Sequence, residues 1–314
     1  MAEHTKIAWT DHTFNPWLGC SKVDEGCANC YAEALMDGRY GRVRWGPQGT
    51  RAKTKTWHDP VKWNRAAAAA GETRKVFCAS LADVFEDWRG AIVDSRGQRL
   101  CRISEGNYSG LPEYAIWAPP ATMNDLRRDL FRLIDATPAL SYLLLTKRPL
   151  NIKRMWPRDG LPRENVWLGT SIANQAHADQ RIDELYLSRG LSPTLFLSVE
   201  PQIDHISLRR WLASDERFID WVIIGGESAQ GGAAARPYDI EWARQLVSEC
   251  REFGVPCFVK QLGSTPYRHD AALYGKPVLI PLPMSTLHGD QPADWPADLR
   301  VRECPETYYP ELVG

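Results

Sequence analysis

The sequence predicts an α/β protein built as a full or partial TIM-like (β/α) barrel of parallel strands. Two observations carry this prediction. Short apolar runs recur along the chain and stop at polar residues, and segments with the periodicity of amphipathic helices lie between them. Such alternation favours right-handed βαβ units and a parallel sheet. An open doubly wound sheet is the second choice, although no glycine-rich dinucleotide turn follows any of the strands.

The predicted strands are nearly continuous in β-branched and aromatic residues, which is typical of strands buried on both faces of a sheet. They cover residues 76–80, 141–148, 166–171, 195–200, 221–228 and 257–261. The segment TKIAWT, residues 5–10, is a possible first strand. The count of about seven strands is sufficient for a full or partial barrel.

The predicted helices alternate with these strands. Helices are expected at residues 121–139, 174–188 and 238–254, where apolar residues recur on one face or a glycine suits a helix C-terminus. A further helix is expected to begin at Asp59 and to end in the alanines at positions 66–70.

Two regions interrupt this alternation. Residues 87–120 are too long for a connection and too rich in glycine and serine for a plain helix, so an inserted excursion such as a hairpin is predicted. Residues 264–314 are rich in proline and tryptophan and are expected to form an irregular C-terminal extension packed on the barrel. The barrel domain is therefore expected to span residues 1–263.

Composition excludes several classes of protein. No run approaches the roughly 18 apolar residues that span a bilayer, and no secretion signal is visible, so a cytoplasmic protein is expected. The formal charge of -1 excludes a globally basic nucleic-acid binder but leaves a local basic patch open. In a cytosolic chain, a tight group of cysteines is more often a metal site than a disulfide framework.

Three cysteines, Cys20, Cys27 and Cys30, lie close together with the spacing C-x6-C-x2-C. Structural zinc usually takes four protein ligands, and a cubane iron–sulfur cluster normally takes four cysteines. Three ligands leave one position open, where a substrate or exchangeable ligand can bind. Two other interpretations remain: a zinc knuckle completed by His12 or His4, or three cysteines that are merely buried.

Polar or ionisable residues follow six of the predicted strands. In a parallel barrel these carboxyl ends converge on one face, where chemistry is found. The residues are Ser80 with Asp83, Thr146 to Arg148, Ser171 with Asn174, Glu200, Gly225 to Glu227, and Lys260 with Gln261. Each could be a helix cap or turn residue, but caps do not call for lysine or glutamate, so a functional site is predicted at this face.

The cysteine segment resembles the radical SAM superfamily, in which a three-cysteine loop follows the first strand and precedes a helix. Here the last two cysteines form C-x2-C and are followed by the aromatic Tyr31. The first gap is longer than the usual C-x3-C, and Asn29 stands where an aromatic residue is common. Motifs along nearly the whole chain, among them "LLLTKRP" and "WVIIGGESAQGGAAARP", are similar to a phage and bacterial three-cysteine protein family of uncharacterised function.

The radical SAM resemblance implies that Cys20, Cys27 and Cys30 bind a 4Fe–4S cluster whose free iron takes S-adenosylmethionine. It also implies that an electron donor is required and that hydrogen is abstracted from the substrate. By position in the barrel, the resemblance assigns the cofactor to strand-end residues: Ser80 and Asp83 for its amino group, Ser171, Asn174 and Glu200 for its ribose, and Gly225 with Gly226 for its adenine.

Three strand-end residues, Lys147, Glu227 and Lys260, remain for the substrate side. A lysine beside a carboxylate at a barrel mouth is either a catalytic acid/base pair or a structural ion pair. The sequence leaves both interpretations open.

Residues 38–58 carry six basic and three aromatic residues and no acidic one. Basic groups pair with phosphates and aromatic faces stack on bases, so this mixture suits single-stranded or distorted nucleic acid. The predicted contacts to DNA or RNA are Arg42, Arg44, Trp45, Lys147 and Arg148. The other interpretation is a solvated loop whose aromatic side chains pack into the core.

These observations predict a radical SAM enzyme whose substrate is unknown, with modification or repair of nucleic acid as a candidate reaction. The alternative is a non-catalytic nucleic-acid-binding protein whose cysteine loop is stapled by zinc.

Overall fold

A curved sheet of parallel strands organises the protein. The computed structural model describes residues 5–104, 106–110, 118–230, 232–273 and 276–305. The strands are, in chain order, β1 (His12–Thr13), β2 (Trp17–Leu18), β3 (Arg51–Lys53), β4 (Arg74–Cys78), β5 (Ile92–Val93), β6 (Leu100–Ser104), β7 (Asn107–Gly110), β8 (Leu140–Thr146), β9 (Val166–Ser171), β10 (Thr194–Val199), β11 (Trp221–Gly225), β12 (Tyr238–Asp239), β13 (Cys257–Gln261), β14 (Pro266–Leu273) and β15 (Lys276–Pro281).

Helices fill the connections between the strands. They are α1 (Tyr31–Glu33), which continues as a π-helical stretch (Ala34–Arg39), then α2 (Asp59–Ala70), α3 (Met123–Asp135), α4 (Ile152–Met155), α5 (Gln175–Tyr186), α6 (Arg209–Leu212) and α7 (Ile240–Glu252). The predicted helices correspond to α2, α3, α5 and α7, so all four are confirmed. The backbone of α2 ends at Gly71, whose φ of 65° lies in the left-handed region that favours glycine.

The main sheet has seven strands in the order β1-β4-β8-β9-β10-β11-β13, and its neighbouring strands run parallel. It curls into a half-barrel with β1 and β13 at the two edges. The predicted partial TIM-like barrel is confirmed, because six of the predicted strands overlap strands of this sheet. Their carboxyl ends therefore lie along one rim, which we call the mouth.

The first strand of the sheet is not the predicted one. Residues 5–10 precede β1 and make a turn in which the Thr10 N–H donates to the Ile7 carbonyl at 3.3 Å. The apolar Trp9 of this segment packs instead against Phe77 and Trp221 inside the half-barrel. The predicted strand was wrong because the apolar Trp9 fills the inside of the half-barrel and is not part of a strand.

Alternate side chains along the strands line two separate cores, as the pleat of a strand requires. On the outer face, Leu144 and Leu168 pack into one cluster with residues of the surrounding helices, such as Leu126. On the inner face, a second cluster is rich in aromatic residues and centres on Trp221, whose ring centroid lies 6.0–6.2 Å from four others. The inside of the half-barrel is therefore a packed core.

The predicted excursion contains a hairpin, as expected. Strands β6 and β7 pair antiparallel, and β5 joins β2 and β3 in a small separate sheet. The hairpin is tied to α3 by an ion pair of 2.9 Å between Arg102 and Asp125. Residues 105 and 111–117 of the excursion lie outside the described residues.

The C-terminal extension is more regular than the sequence indicates. Strands β14 and β15 form an antiparallel hairpin that also joins β12. The prediction missed this hairpin because the apolar run of β15 is short and contains proline at positions 277 and 281, which weakens a strand signal. Further on, the Val259 N–H donates to the Val301 carbonyl at 2.8 Å, so the extension runs along the edge strand β13. Trp221 Nε1, at the amino end of β11, donates to the Glu303 carbonyl at 2.9 Å, so the extension also covers that end of the sheet.

Among the helices of the described residues, none combines the length and the apolar character needed to cross a membrane.

Candidate functional site

The cysteine loop, residues 20–30, lies over the mouth of the half-barrel. It follows β2 rather than β1, and the Gly19 N–H just before it donates to the Leu81 carbonyl beyond β4 at 3.0 Å. Inside the loop, Asp24 Oδ1 accepts the Cys27 N–H at 3.1 Å and caps a short 3₁₀ turn. Cys30 then stands at the start of α1. The loop was predicted to follow the first strand directly and to precede a helix. It does precede α1, but β2 lies between the first strand and the loop.

The three thiols of the loop are free and partly buried. Burial raises the pKa of Cys30, although the backbone N–H groups of Ala32 and Glu33 act in the opposite direction. No three His, Cys, Asp or Glu side chains in the described ranges are arranged to hold a metal ion. Because the ligating form of cysteine is the thiolate, any metal bound here would displace protons from these thiols.

Cys20 is held by a network of buried charges. Burial, together with the nearby carboxylates Asp83 and Glu86, raises the pKa of Cys20 to about 12. Arg148 opposes this shift, since its Nη1 lies 3.6 Å from Cys20 Sγ and 2.7 Å from Asp83 Oδ2. Its Nη2 donates to the Ser21 carbonyl at 2.8 Å. One guanidinium therefore ties the start of the cysteine loop to the floor of the mouth.

A second guanidinium supports the same end of the loop. Arg51 is fully buried and forms two hydrogen bonds with Glu86, of 2.7 and 2.8 Å. It also donates to Ser21 Oγ at 3.0 Å and stacks on Trp88, with its guanidinium carbon 3.8 Å from the ring centroid. A buried bidentate pair of this kind restrains both side chains to one geometry.

The middle of the loop is fastened to β9 and α5. Arg181 forms an ion pair with Asp24 and donates to the Ser171 carbonyl at 2.8 Å. Asn174, at the start of α5, contacts Glu25 of the loop. A side chain on Gly26 would place its Cβ 3.1 Å from the Cβ of Ala173, so the loop lies directly against the segment after β9.

The end of the loop is fastened to β11. Asn29 Nδ2 donates to Glu227 Oε2 at 3.0 Å, and Arg236 Nε donates to the same oxygen at 2.9 Å. Arg236 also donates to the Glu25 carbonyl at 2.9 Å. Burial alone would raise the pKa of Glu227, but the hydrogen bonds from Arg236 and Asn29 lower it below its ordinary value. Glu227 is thus a structural clamp whose oxygens are engaged by the protein.

Lys147 lies between the loop and the sheet. Its Nζ donates to Ser171 Oγ at 2.9 Å, and that hydroxyl in turn donates to the Glu200 carbonyl at 3.1 Å. The charge of Lys147 acts on the loop: burial raises the pKa of Asp24, but Lys147 and Arg181 outweigh it and lower the value. Lys147 also stabilises the thiolate of Cys30, although burial keeps the pKa of that thiol raised.

Glu200 and Lys260 form the other acid–base pair of the mouth. Lys260 Nζ lies 2.5 Å from Glu200 Oε1, and the two side chains keep 25% and 17% of their surface exposed, respectively. In contrast to Glu227, this pair forms no hydrogen bond or ion pair with the cysteine loop within the described part of the chain. It therefore combines a lysine and a carboxylate that remain accessible at the strand ends.

The remaining residues assigned to a cofactor are engaged within the protein. Ser80 Oγ accepts from Asn15 Nδ2 at 3.0 Å, and Asp83 accepts from Thr146 Oγ1 at 2.8 Å as well as from Arg148. A Cβ on Gly226 would lie 2.5 Å from the Leu262 carbonyl oxygen, so packing inside the protein already explains that glycine.

Gly225 is less crowded than its neighbour. The nearest atoms to an added Cβ would be those of Glu200 and Gln261, at 3.3 and 3.4 Å. Gly225 therefore lies beside the accessible Glu200–Lys260 pair.

The five residues predicted to contact nucleic acid are not all exposed. Arg42 and Arg44 are exposed, whereas Trp45 is partly buried against an apolar cluster. Lys147 lies beneath the cysteine loop, and the Arg148 side chain is only 15% exposed and paired with Asp83. Arg148 therefore braces the loop and does not present its charge on an outer surface.

His12 is placed away from the cysteines that it was considered to join in a zinc knuckle. Its ring stacks on Trp63 of α2, with centroids 4.4 Å apart, on the helix side of the sheet. The other candidate, His4, lies outside the described residues.

Sequence reasoning missed the charged residues that fasten the loop. These are Asp24, Arg51, Glu86, Arg181 and Arg236. The signal for Asp24 was present, since an acidic residue three positions before Cys27 is a cap pattern. The arginines carried no local signal, because Arg51 and Arg181 meet their partners across 35 and 157 positions, and Arg236 meets Glu227 across nine, which is beyond the spacing of a turn or helix pattern.

The fold and site described above belong to a protein of the DUF5131 family. The family model, described as a protein of unknown function, matches residues 4–96 and 120–279. The unmatched residues between these two segments contain the hairpin of β6 and β7. No curated protein and no solved structure matches the chain.

Proposed function

We propose that this protein is a radical SAM enzyme in which Cys20, Cys27 and Cys30 hold a 4Fe–4S cluster at the mouth of the half-barrel. The observation that carries the proposal is the position of the cysteine loop. Its three free thiols lie over the carboxyl ends of parallel strands, which is where barrel enzymes place their chemistry.

The three thiols are not arranged around a metal position in the described structure, but the chemistry of this donor set fits such a group. Three thiols within one loop match an iron–sulfur cluster with one iron left open to a ligand. His12, the candidate fourth ligand for structural zinc, stacks on Trp63 on the helix side of the sheet. When bound, the cluster would supply the electron for reductive cleavage of S-adenosylmethionine, and an external electron donor would restore it.

The residues of the mouth have separate roles in this proposal. Arg148 holds the start of the cysteine loop, Arg181 and Arg236 hold its middle at Asp24 and Glu25, and Glu227 holds its end through Asn29. Gly225, Glu200 and Lys260 form the accessible polar surface beside the loop and are proposed to bind the cofactor or the substrate. Lys260 is the proposed proton donor or acceptor.

Anaerobic reconstitution tests the proposal. Purified protein treated with iron and sulfide should retain about four of each per chain and absorb visible light, because the cluster is of the 4Fe–4S type. The Cys30→Ser variant should lose most of this iron while melting within a few degrees of the wild type. Cys304→Ser, which changes a partly buried cysteine outside the loop, should bind iron as the wild type does.

Stoichiometric zinc without iron would contradict the proposal and support a zinc staple. In that case the three single cysteine variants should all lose much of their thermal stability, because structural zinc binding contributes directly to folding.

A further inference from the structure

A small lobe beside the mouth, residues 31–46, is attached to the cysteine loop at both ends. It leaves the loop as α1, directly after Cys30, and returns where the Gly46 N–H donates to the Cys20 carbonyl at 3.0 Å. Its underside is fixed because Met36 and Val43 are buried in an apolar cluster with Leu18. The position of the lobe is therefore coupled to that of the cysteines.

The outer surface of the lobe presents an aromatic ring with two arginines beside it. Tyr40 is 51% exposed, and the guanidinium carbons of Arg39 and Arg42 each lie 5.5 Å from its ring centroid. Arg44 is exposed on the same short segment. A half-exposed ring beside cations offers both aromatic surface for stacking and positive charge.

The arginines of the lobe differ from many other surface arginines of the protein. Arg209 and Arg244, for example, pair with Glu252 and Asp298. Within the part of the chain that the structure describes, Arg39, Arg42 and Arg44 form no ion pair with a carboxylate. Arg39 and Arg42 contact only the Tyr40 ring through their guanidinium groups there. Their charge is available to an anionic partner.

The preference of basic residues for a helix C-terminus explains only some of these exposed residues. Arg39 is the last residue of the π-helical stretch, and the Arg42 N–H donates to the Met36 carbonyl at 2.8 Å, so both lie where basic residues favour the helix dipole. The dipole does not account for the exposed ring of Tyr40. It also does not account for Arg44, which lies beyond the last helical turn.

We propose that this lobe binds a single strand of nucleic acid, with a base stacked on Tyr40 and phosphates held by Arg39, Arg42 and Arg44. The inference rests on the proposed function, because it names the substrate class of the same mouth. The helical stretch from Tyr31 to Arg39 comprises three α-helical and six π-helical residues. Since the rise of an α-helix is about 1.5 Å per residue and a π-helix is wider and shorter, the stretch spans at most roughly 13 Å. A strand bound at Tyr40 thus passes close to the cysteines, where an unpaired nucleotide can enter the mouth.

Fluorescence anisotropy with a labelled single-stranded 12-mer oligonucleotide, over a series of salt concentrations, tests the proposal. Reconstituted wild type should bind, and log K should fall with log[salt] at a slope of about -0.7 per phosphate neutralised. The double variant Arg39→Ala/Arg42→Ala should lower the magnitude of that slope by about 1.4. The matched control, Arg209→Ala/Arg210→Ala, removes two arginines that have carboxylate partners and should bind as the wild type does.

Tyr40 gives an independent readout. Tyr40→Ala should weaken binding roughly 5- to 100-fold with an unchanged salt slope, since stacking and not charge is lost. Tyr40→Phe keeps the ring and should bind within about twofold of the wild type. Thermal melting of each variant verifies folding, which these exposed side chains should not affect.

The proposal is overturned if the wild type does not bind at low salt, if the Arg39/Arg42 variant keeps the wild-type slope, or if Tyr40→Ala binds as tightly as Tyr40→Phe. It is also overturned if polyphosphate, which has no bases, competes as well as the oligonucleotide. Cofactor cleavage without oligonucleotide binding would remove this inference alone. Oligonucleotide binding by a protein that takes up no iron would remove only the proposed radical chemistry.

Discussion

The two ends of the half-barrel are held together by different forces. At the amino end, the rings of Trp9, Trp167 and Phe196 surround Trp221, and the C-terminal extension closes over them. At the mouth, the cysteine loop rests on ion pairs and hydrogen bonds from Arg148, among others. Apolar packing is insensitive to pH and needs no exact partner, whereas a charged clamp fixes orientation. We therefore expect the amino end to contribute most to the stability of the protein and the charged contacts of the mouth to position the cysteine loop.

Replacing the central ring of the amino end should have the largest effect on stability. Trp221→Ala removes a fully buried indole from the aromatic cluster and should lower the free energy of unfolding by about 3–5 kcal/mol. Urea denaturation followed by circular dichroism measures this loss. The variant that remains folded should take up iron as the wild type does. A loss below about 1 kcal/mol would remove the assignment of stability to this end.

Removing the brace beneath the cysteine loop should have the next largest effect. Arg148→Ala leaves the buried Asp83 without its ion-pair partner and releases Ser21, so we expect a loss of about 2–4 kcal/mol. Cys20 should also react faster with a thiol reagent, because the opening of its surroundings outweighs the loss of the Arg148 charge, which lowers the pKa of this thiol.

Arg148→Lys is the matched control for this brace. Lysine keeps the positive charge, but its ammonium group cannot bond to both Asp83 and Ser21 as the planar guanidinium does. The reactivity of Cys20 in this variant should therefore lie between that in the wild type and that in Arg148→Ala. If Cys20 reacts at the wild-type rate in Arg148→Ala, then Arg148 does not position the loop.

The clamp at the other end of the loop should show a pH dependence. Because the pKa of Glu227 is lowered in the folded protein from an ordinary value of 4.5, its charge contributes stability above that pH. This contribution is lost as the pH falls below about 4.5 and through the folded-state pKa. Glu227→Gln should therefore be less stable than the wild type by about 1–3 kcal/mol at pH 7.

Chemical denaturation at a series of pH values checks this prediction. The stability difference between wild type and Glu227→Gln should shrink steadily as the pH falls from 5 to 3, since the wild-type carboxylate becomes protonated. A difference that stays constant, or grows in acid, would contradict the role of Glu227 as a charged clamp.

The accessible pair should contribute least to stability and most to chemistry. Lys260→Ala removes a partly exposed ion pair with Glu200, so the unfolding free energy should change by less than about 1 kcal/mol. If Lys260 transfers a proton in the proposed reaction, turnover should fall roughly 100-fold or more. A variant with full turnover would leave Lys260 as a structural partner of Glu200 only.

The sequence predicted the parts of the fold that repeat. Strands β4, β8 to β11 and β13 and the long helices could be found because each carries its own periodic or continuous apolar pattern. The mouth could be predicted for the same reason, since polar residues such as Lys147 and Glu200 follow recognisable strands. The structure links Lys147 to the Glu200 carbonyl through the Ser171 hydroxyl.

The sequence could not supply the partners of these residues. Glu227 meets Asn29 across 198 positions, and Arg51 meets Glu86 across 35, so no local pattern links either pair. For the same reason, Glu227 and Lys260 had the same predicted role at the substrate side. In the structure, Glu227 is engaged by Arg236, whereas Lys260 pairs with the accessible Glu200. Two-residue strands such as β1 are too short to carry a pattern.

Cleavage of S-adenosylmethionine is the most direct test of the central claim, that the cysteine loop makes the mouth a radical SAM site. Reconstituted protein is incubated anaerobically with dithionite and S-adenosylmethionine, and 5′-deoxyadenosine is quantified by chromatography. Wild type and Cys304→Ser should form it, whereas the Cys20→Ser, Cys27→Ser and Cys30→Ser variants should not. Absence of the product from wild type that holds its full complement of iron and sulfide, or equal formation by Cys30→Ser, would contradict the account.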